Sequence, residues 1–152
     1  MDQLDELYRD VILDHFKSPT HHGELPGAQV HVTGTNPLCG DEMTFHLKLD
    51  DGRLSAVRFT GKGCAISQAA ASMLAGRLEG TTVAEAGQVI EALKGLMQGR
   101  EPSVDLGDLE ALAGVRKFPV RVKCAALSWN VVEQGLEQQR SQTSDVRTQK
   151  SE

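Results

Sequence analysis

The sequence predicts an α+β domain: a three-stranded antiparallel sheet with helices packed on one face. Apolar residues have helical spacing near the start, alternate with polar ones between about residues 28 and 60, and return to helical spacing after Cys64. Consecutive strands followed by a run of helices are typical of α+β domains. At 152 residues, the chain is long enough for one domain with its own core. We expect a single domain over residues 1–138 and a disordered tail over 139–152, because the tail carries almost no apolar residues.

Local signals place the elements in order. Asp51-Gly52 separates two alternating runs and is a strong hairpin signal. Thr82 and Glu85 have the spacing of a capping box, which opens a helix. The predicted elements are a helix over 2–17, strands over about 28–34, 42–50 and 53–60, a helix after Cys64 that stops at Gly80, a helix after Thr82, a short helix near 108–113 and a last helix from about Cys124.

Charge and composition exclude several classes of partner. The formal net charge is −5, whereas nucleic acids and anionic membranes usually require a basic face. The sequence has no long apolar run, and its first residues lack the positive charge of a secretory signal. We therefore expect a cytoplasmic protein without a nucleic-acid or membrane partner. In a reducing compartment, spaced cysteines more often bind metal or do chemistry than form disulfides.

The three cysteines and one nearby aspartate form a possible metal-ligand set. Cys39 and Asp41 are two residues apart in the predicted loop between the first two strands, so both side chains can face one ion. Cys64 and Cys124 each fall at a predicted helix start, where the helix dipole favours a thiolate. Three thiolates and a carboxylate would bind Zn²⁺ tetrahedrally. The alternative is that the cysteines are small buried apolar residues, since no pair has the close Cys-x-x-Cys spacing.

Charged residues near the cysteines are further candidates. Lys62, Arg121 and Lys123 would place positive charge beside Cys64 or Cys124 and lower the thiol pKa, although each could also be an ordinary solvated cation. The histidines give weaker signals. His31 and His46 fall on the polar sides of their strands, where we expect them to be solvated.

Three local strings resemble a known family. The chain is similar to the SufU branch of the NifU/IscU-like iron–sulfur cluster assembly proteins, from the first helix through Trp129. IscU-type scaffolds carry a histidine directly before the third cysteine, where this chain has Lys123. The SufU pattern also has a longer segment between the second and third cysteines, matching about Gly80 to Arg116. The strings are Asn36-Pro37-Leu38-Cys39-Gly40-Asp41, Gly61-Lys62-Gly63-Cys64-Ala65-Ile66-Ser67-Gln68-Ala69 and Arg121-Val122-Lys123-Cys124-Ala125-Ala126-Leu127-Ser128-Trp129.

The resemblance implies a SufE/NifU-like fold and a zinc-dependent sulfurtransferase of the SUF system. Zn²⁺ would be held by Cys39, Asp41, Cys64 and Cys124. A SufS-type cysteine desulfurase would present a persulfide, a histidine of that enzyme would replace Cys39 on the metal, and Cys39 would take the sulfur. Arg121 would steady the Cys39 thiolate. Downstream SUF assembly proteins are further possible partners.

Two other functions remain open from the sequence. The same ligands suit iron, so the chain could be a scaffold on which an iron–sulfur cluster is assembled and passed to apo-proteins. It could also be a binding module without catalysis, in which zinc only supports the fold. Metal content and sulfur transfer distinguish the three.

Overall fold

The computed structural model describes the backbone of residues 3–38 and 40–151 and the side chains of 6–38 and 40–139. The predicted α+β architecture is confirmed. None of the helices within these residues combines the length and the apolarity needed to cross a membrane. The elements are α1 (Gln3–Lys17), β1 (Val30–Asn36), β2 (Asp41–Asp50), β3 (Arg53–Lys62), α2 (Ala65–Leu78), α3 (Val83–Met97), a 3₁₀ segment (Gly107–Val115) and α4 (Pro119–Ser151).

The sheet is an antiparallel meander in the order β1-β2-β3. The predicted Asp51-Gly52 turn joins β2 to β3, and both residues have positive φ (51° and 75°), as a two-residue type I′ hairpin requires. Met43, Phe45 and Leu47 point from β2 into the core and are fully buried. Helix α2 packs against β3 while α4 packs against β1 and β2, so the helices cover this apolar face.

The connection between β1 and β2 is shorter than the sequence predicts. Pairing continues to Asn36 opposite Asp41, so Asp41 is the first residue of β2 and not part of the loop. Gly40 makes this possible, because it adopts φ +70° and its backbone N–H donates to the Asn36 carbonyl at 2.9 Å. The connection is thus reduced to residues 37–40, and Asp41 is held by the sheet.

The ends of the helices follow their local signals, with one exception. Thr82 and Glu85 form the predicted capping box, and Gly80 after α2 has φ +89°. Helix α4, however, begins at Pro119 and not near Cys124. Proline suits the first helical position because its missing N–H has no partner there and its φ is already helical. The Phe118 carbonyl then accepts the Val122 N–H at 3.0 Å.

Helix α4 extends through Ser151 and includes most of the segment for which the sequence predicts a disordered tail. The side chains of residues 140–152 lie outside the described part of the chain. Secondary structure does not test mobility, so the disorder of 139–152 and the single-domain boundary at 138 stay predictions.

The expectation that His46 is solvated is wrong. It is only 7% exposed, its Nδ1 lies 2.8 Å from Nδ1 of His31, and its Nε2 lies 3.0 Å from Thr60 Oγ1. Burial, followed by the neighbouring His31, lowers the pKa of His46. The alternation correctly places His46 on the polar side of the sheet, away from the apolar face. It does not show that His31 and Thr60 contact this side chain.

Candidate metal centre

Three side chains from three elements converge at one end of the sheet. Asp41 begins β2, Cys64 precedes α2, and Cys124 lies in α4. Their ligand atoms all lie within 4.8 Å of one another, so together they could hold a metal ion. Asp41 and Cys124 are 2% and 4% exposed, whereas Cys64 is open to solvent. The centre is therefore anchored in the core and accessible from one side.

Asp41 is oriented by the backbone of its neighbour in the site. The backbone N–H of Cys64 donates to Asp41 Oδ1 at 3.2 Å, and Cys64 Sγ lies 3.7 Å from Asp41 Oδ2. Gly63 leaves the space that the carboxylate occupies, since a Cβ on Gly63 would lie 2.9 Å from Asp41 Cγ and would also clash with Ser67 Oγ. The carboxylate is thus fixed in a cradle that any larger residue at 63 would fill.

Cys64 is the N-cap of α2, as the sequence predicts. Its sulfur accepts the Ser67 backbone N–H at 3.5 Å, and the Ser67 hydroxyl donates to the Cys64 carbonyl at 3.0 Å. The thiol also lies 3.8 Å from Ser67 Oγ. The sulfur thus lies at the positive end of the α2 helix dipole. A deprotonated sulfur is the form that binds a metal.

Cys124 does not lie at the helix start. Since α4 begins at Pro119, Cys124 falls in the second turn, and its sulfur receives less of the N-terminal dipole than that of Cys64. Arg121 and Lys123 are exposed on the same helix. Arg121 lines a surface depression of about 510 Å³ together with Cys64 and Cys124, so its side chain borders the same space as the two thiols.

The fourth predicted ligand, Cys39, lies outside the described residues. Its neighbours in the sequence are described. The Leu38 backbone N–H donates to Asn36 Oδ1 at 3.2 Å, and the Leu38 side chain is 65% exposed. Asn36 is paired with Asp41 across the two strands. Position 39 thus belongs to a short connection whose far end is the Asp41 ligand position, and its metal-binding role stays a prediction.

The donor atoms fit a thiophilic divalent metal. Two cysteine sulfurs and a carboxylate oxygen are ligands that Zn²⁺ and iron accept, whereas Ca²⁺ and Mg²⁺ prefer oxygen alone. A tetrahedral site needs one more ligand. The sequence predicts that Cys39 is this fourth ligand. The geometry of Asp41, Cys64 and Cys124 agrees with the predicted ligand set, but it does not test Cys39.

Sequence reasoning missed two features around the centre. Ser67 orients Cys64 through three contacts. It could have been identified from the sequence, because it is the third residue after the N-cap, where a backbone N–H contacts the capping side chain. Phe118 and Val120 are 53% and 60% exposed beside the thiols. The sequence places both residues among the cations of residues 116–123, but this position alone does not predict that they are exposed.

The chain matches the family described as NifU-like N terminal domain over residues 7–142. It is 45% identical over 135 residues to a zinc-dependent sulfurtransferase SufU of Bacillus subtilis, covering 88% of this chain and 91% of that protein. It is also 38% identical over 138 residues to an iron–sulfur cluster assembly scaffold protein IscU of Streptococcus pyogenes, covering 90% of this chain and 86% of that protein.

The fold is similar to that of solved structures. A crystal structure from Fervidobacterium islandicum, described as a candidate iron–sulfur cluster assembly scaffold protein for the SUF system, superposes with a TM-score of 0.79 at 33% identity. The match covers 84% of this chain and 94% of that one. A hypothetical protein gives a TM-score of 0.81 at 38% identity, covering 88% and 98% of the two chains.

Proposed function

The chain belongs to the NifU-like N-terminal domain family of iron–sulfur cluster assembly proteins, and on that premise we propose that it is a zinc-dependent sulfur acceptor. It takes sulfur from the persulfide of a SufS-type cysteine desulfurase. The observation that carries this proposal is the convergence of Asp41, Cys64 and Cys124 within 4.8 Å at an edge open to solvent. The B. subtilis relative, at 45% identity, is named as a zinc-dependent sulfurtransferase.

Asp41, Cys64, Cys124 and Cys39 would hold the zinc. Bound zinc would keep thiolates deprotonated at neutral pH and protect them from oxidation. Two of these ligands are held by the fold: Asp41 through the backbone N–H of Cys64, and Cys64 through Ser67. Cys124 is buried in α4. These three are anchors, which makes Cys39 the cysteine available for transfer.

Cys39 carries the transferred sulfur. Its thiolate attacks the terminal sulfur of the desulfurase persulfide, a new S–S bond forms on Cys39, and the old S–S bond breaks. The desulfurase cysteine leaves as a thiolate, so charge and electrons balance without an added oxidant or reductant. Arg121, which faces the same depression as Cys64 and Cys124, supplies positive charge that stabilises the Cys39 thiolate before attack.

The second candidate function is assembly of an iron–sulfur cluster on the same residues. The S. pyogenes relative is named as such a scaffold, and two thiols with a carboxylate also suit iron. Lys123 stands against this reading, because the IscU-type pattern described by the resemblance has a histidine directly before the third cysteine, where this chain has a lysine. A cytoplasmic location and delivery to downstream SUF proteins stay predictions with either function.

Metal analysis combined with desulfurase kinetics tests the proposal. The native protein should contain one zinc per chain, be colourless after anaerobic purification, and raise desulfurase turnover strongly when mixed with it. Cys39→Ala should lose this stimulation while remaining folded. If Cys39→Ala stimulates as well as the wild type, the sulfur-acceptor proposal is wrong. A coloured protein that passes its cluster to an apo-ferredoxin would instead establish the scaffold function.

A further inference from the structure

Two side-chain amides beside the metal centre each have a buried donor without an acceptor. Within the described part of the chain, the buried side-chain polar atoms that lack a hydrogen-bond partner are His21 Nδ1, Asn36 Nδ2 and Gln68 Nε2. Asn36 lies directly opposite the ligand Asp41 in the sheet. Gln68 lies one helical turn after the ligand Cys64. A buried donor without an acceptor costs free energy, so two of them next to one centre require an explanation.

The amide of Asn36 has a fixed orientation. Its Oδ1 accepts the Leu38 backbone N–H at 3.2 Å, so Oδ1 and Nδ2 cannot be interchanged without losing this hydrogen bond. The side chain is only 8% exposed, and Nδ2 is buried. The unpaired donor therefore faces the interior of the protein and not water.

Helix α4 runs antiparallel to β1 across the core face of the sheet. A Cβ on Gly135 would lie 2.8 Å from Val32 Cγ1. Two residues further along β1, a Cβ on Gly34 would lie 2.5 Å from Val131 Cγ2. A step of two residues forward in β1 thus corresponds to about one turn back in α4. The next step places Asn36 beside the α4 turn that precedes Val131.

This step brings the Asn36 amide towards the metal centre. Cys124 lies seven residues, or two turns, before Val131 and is therefore on the same face of α4. Asp41, which is paired with Asn36, has a carboxylate oxygen within 4.8 Å of the Cys124 sulfur. Directly opposite residues of an antiparallel pair have their side chains on the same face of the sheet. The Asn36 amide is thus directed to the side of the centre where Cys124 lies.

Gln68 has the corresponding position on the Cys64 side. Its backbone N–H donates to the Cys64 carbonyl at 3.0 Å, which closes the first turn of α2. Side chains of a helix point back towards its N-terminus and cover the preceding turn. The Gln68 amide is therefore directed over the turn that starts at Cys64.

The loaded centre would supply acceptors for both donors. Two thiolates and one carboxylate carry three negative charges against the two positive charges of a zinc ion, and a further thiolate would add another. Hydrogen bonds donated to metal ligands offset such excess charge and hold the ligands in place. A neutral amide suits this position, because it donates without competing for the metal as a carboxylate would.

We propose that Asn36 and Gln68 are positioning residues of the loaded centre: Asn36 Nδ2 donates to the Cys124 thiolate, and Gln68 Nε2 donates to the Cys64 thiolate. The two amides hold both sulfurs on the metal as anchors. The inference rests on the metal centre of the proposed function and not on the sulfur-transfer step.

The experiment loads the full chain with Co²⁺ and records the near-ultraviolet band in which charge moves from thiolate to cobalt. A hydrogen bond stabilises the electrons of the sulfur, so its loss should shift this band to longer wavelength. Asn36→Leu and Asn36→Asp should both show the shift, because both lose the amide donor. Only Asn36→Leu also loses the acceptor of the Leu38 N–H. Asn130→Asp, at an exposed position of α4, is the matched control and should absorb as the wild type does.

Gln68→Met tests the second amide. Methionine keeps the unbranched shape and the helix propensity of glutamine but has no donor. Gln88→Met, at an exposed position of α3, is its control. Each centre variant should also bind cobalt and zinc about tenfold more weakly in competition with a chelator, whereas the controls should not. The visible cobalt bands that report tetrahedral geometry should be retained in every variant, which shows that the ligands themselves are intact.

The possible outcomes separate this inference from the proposed function. If the band shifts in Asn36→Leu but not in Asn36→Asp, Asn36 acts only through its contact with Leu38 and its assigned role is wrong. If the wild type and all three centre variants share one band position and one affinity, the amides do not donate to the thiolates, while sulfur transfer through Cys39 can still stand. If the wild type binds neither cobalt nor zinc, the proposed metal centre fails as well.

Discussion

The two ends of α2 use polar groups in opposite ways. At its C-terminal end, Glu79 accepts the Val57 backbone N–H at 3.0 Å, the Arg58 guanidinium at 2.7 Å and lies 3.0 Å from His21 Nε2. At its N-terminal end, Cys64, Asp41 and Cys124 converge on a point that a metal ion can fill. The first end is held by contacts within the protein, whereas the side chains of the second end can also hold a metal ion.

We therefore expect the two ends of α2 to have different roles, one in stability and one in metal binding. The Glu79 cluster ties α2 to β3 and to the segment before the sheet, so we expect it to contribute to stability and nothing to sulfur transfer. The Cys64 end is open to solvent and surrounded by exposed apolar groups and cations. We expect Cys64 to contribute to metal binding and partner contact more than to folding, because its side chain is exposed and lies outside the apolar core.

The largest effect should come from Cys64→Ala. It removes a metal ligand and the α2 N-cap together, so zinc content and desulfurase stimulation should fall close to zero, and the free energy of unfolding should drop by about 1 kcal/mol from the lost cap. Zinc content and chemical denaturation measure the two effects. Cys64→Ser is the matched variant: it should keep most of the cap but lose zinc. If Cys64→Ala retained one zinc per chain, the claim that the N-terminal end of α2 binds the metal would be wrong.

Gly63→Ala should have the next largest effect. The new Cβ would lie 2.9 Å from Asp41 Cγ and push the carboxylate from its cradle, so zinc affinity should fall by about tenfold, in the range seen when a group that orients a ligand is lost. Competition with a chelator measures this. Gly87→Ala in α3 is the control, because nothing lies within 4 Å of its Cβ position; it should leave zinc affinity unchanged and stabilise the helix slightly. If Gly63→Ala bound zinc as tightly as the wild type, the space at Gly63 would not be needed to orient Asp41.

Glu79→Gln should lower stability and leave the metal centre unchanged. Burial acts to raise the pKa of Glu79, but hydrogen bonds from Val57, Arg58 and His21 outweigh it, so the pKa is lowered from 4.5. The stabilising contribution is thus present above pH 4.5 and lost as the pH falls below it. Loss of charged hydrogen bonds at a partly exposed site should cost about 1 kcal/mol at pH 7.

Denaturation of wild type and Glu79→Gln at pH 7 and at acid pH measures this contribution. The two stability curves should converge as Glu79 becomes protonated. Zinc content and desulfurase stimulation should match the wild type throughout the range in which the protein stays folded. A loss of zinc in Glu79→Gln would show that the two ends of α2 are coupled. It would contradict the claim that Glu79 contributes only to stability.

The smallest effect should come from the histidine pair on the other face of the sheet. The pKa of His46 is lowered from 6.5 by burial and by His31, with Glu24 acting in the opposite direction. The unfolded chain then binds more protons than the folded chain, so stability falls as the pH drops below 6.5. His46→Gln should remove this slope in denaturation measured across that range. An unchanged slope would show that His46 is not its source.

The sequence predicted the sheet and the helices well because their signals are local. Asp51-Gly52 strongly favours a tight hairpin, and Thr82 with Glu85 closes a capping box within four residues. The position of Cys64 was also local, because the end of an alternating run and the start of a helical stripe meet there. These features need no knowledge of what packs against them.

The remainder depended on distant contacts or on a competing signal. His46 is buried although it alternates with the apolar residues of its strand, and no local sequence pattern predicts that burial. Cys124 does not begin the last helix as the sequence predicts, because α4 begins at Pro119, a residue that suits the first helical position. The exposure of Phe118 could not be predicted, since an apolar residue before a helix is usually buried.

Mass spectrometry of the protein after reaction with the desulfurase and cysteine tests the central claim most directly. If the open end of α2 is a sulfur-accepting centre, a peptide containing Cys39 should gain the mass of one sulfur atom, and peptides containing Cys64 and Cys124 should not. The gain should be reversed by a reducing agent and absent from Cys39→Ala. Sulfur found on Cys64 or Cys124 with Cys39 unmodified, or on none of the three during full desulfurase turnover, would contradict the account.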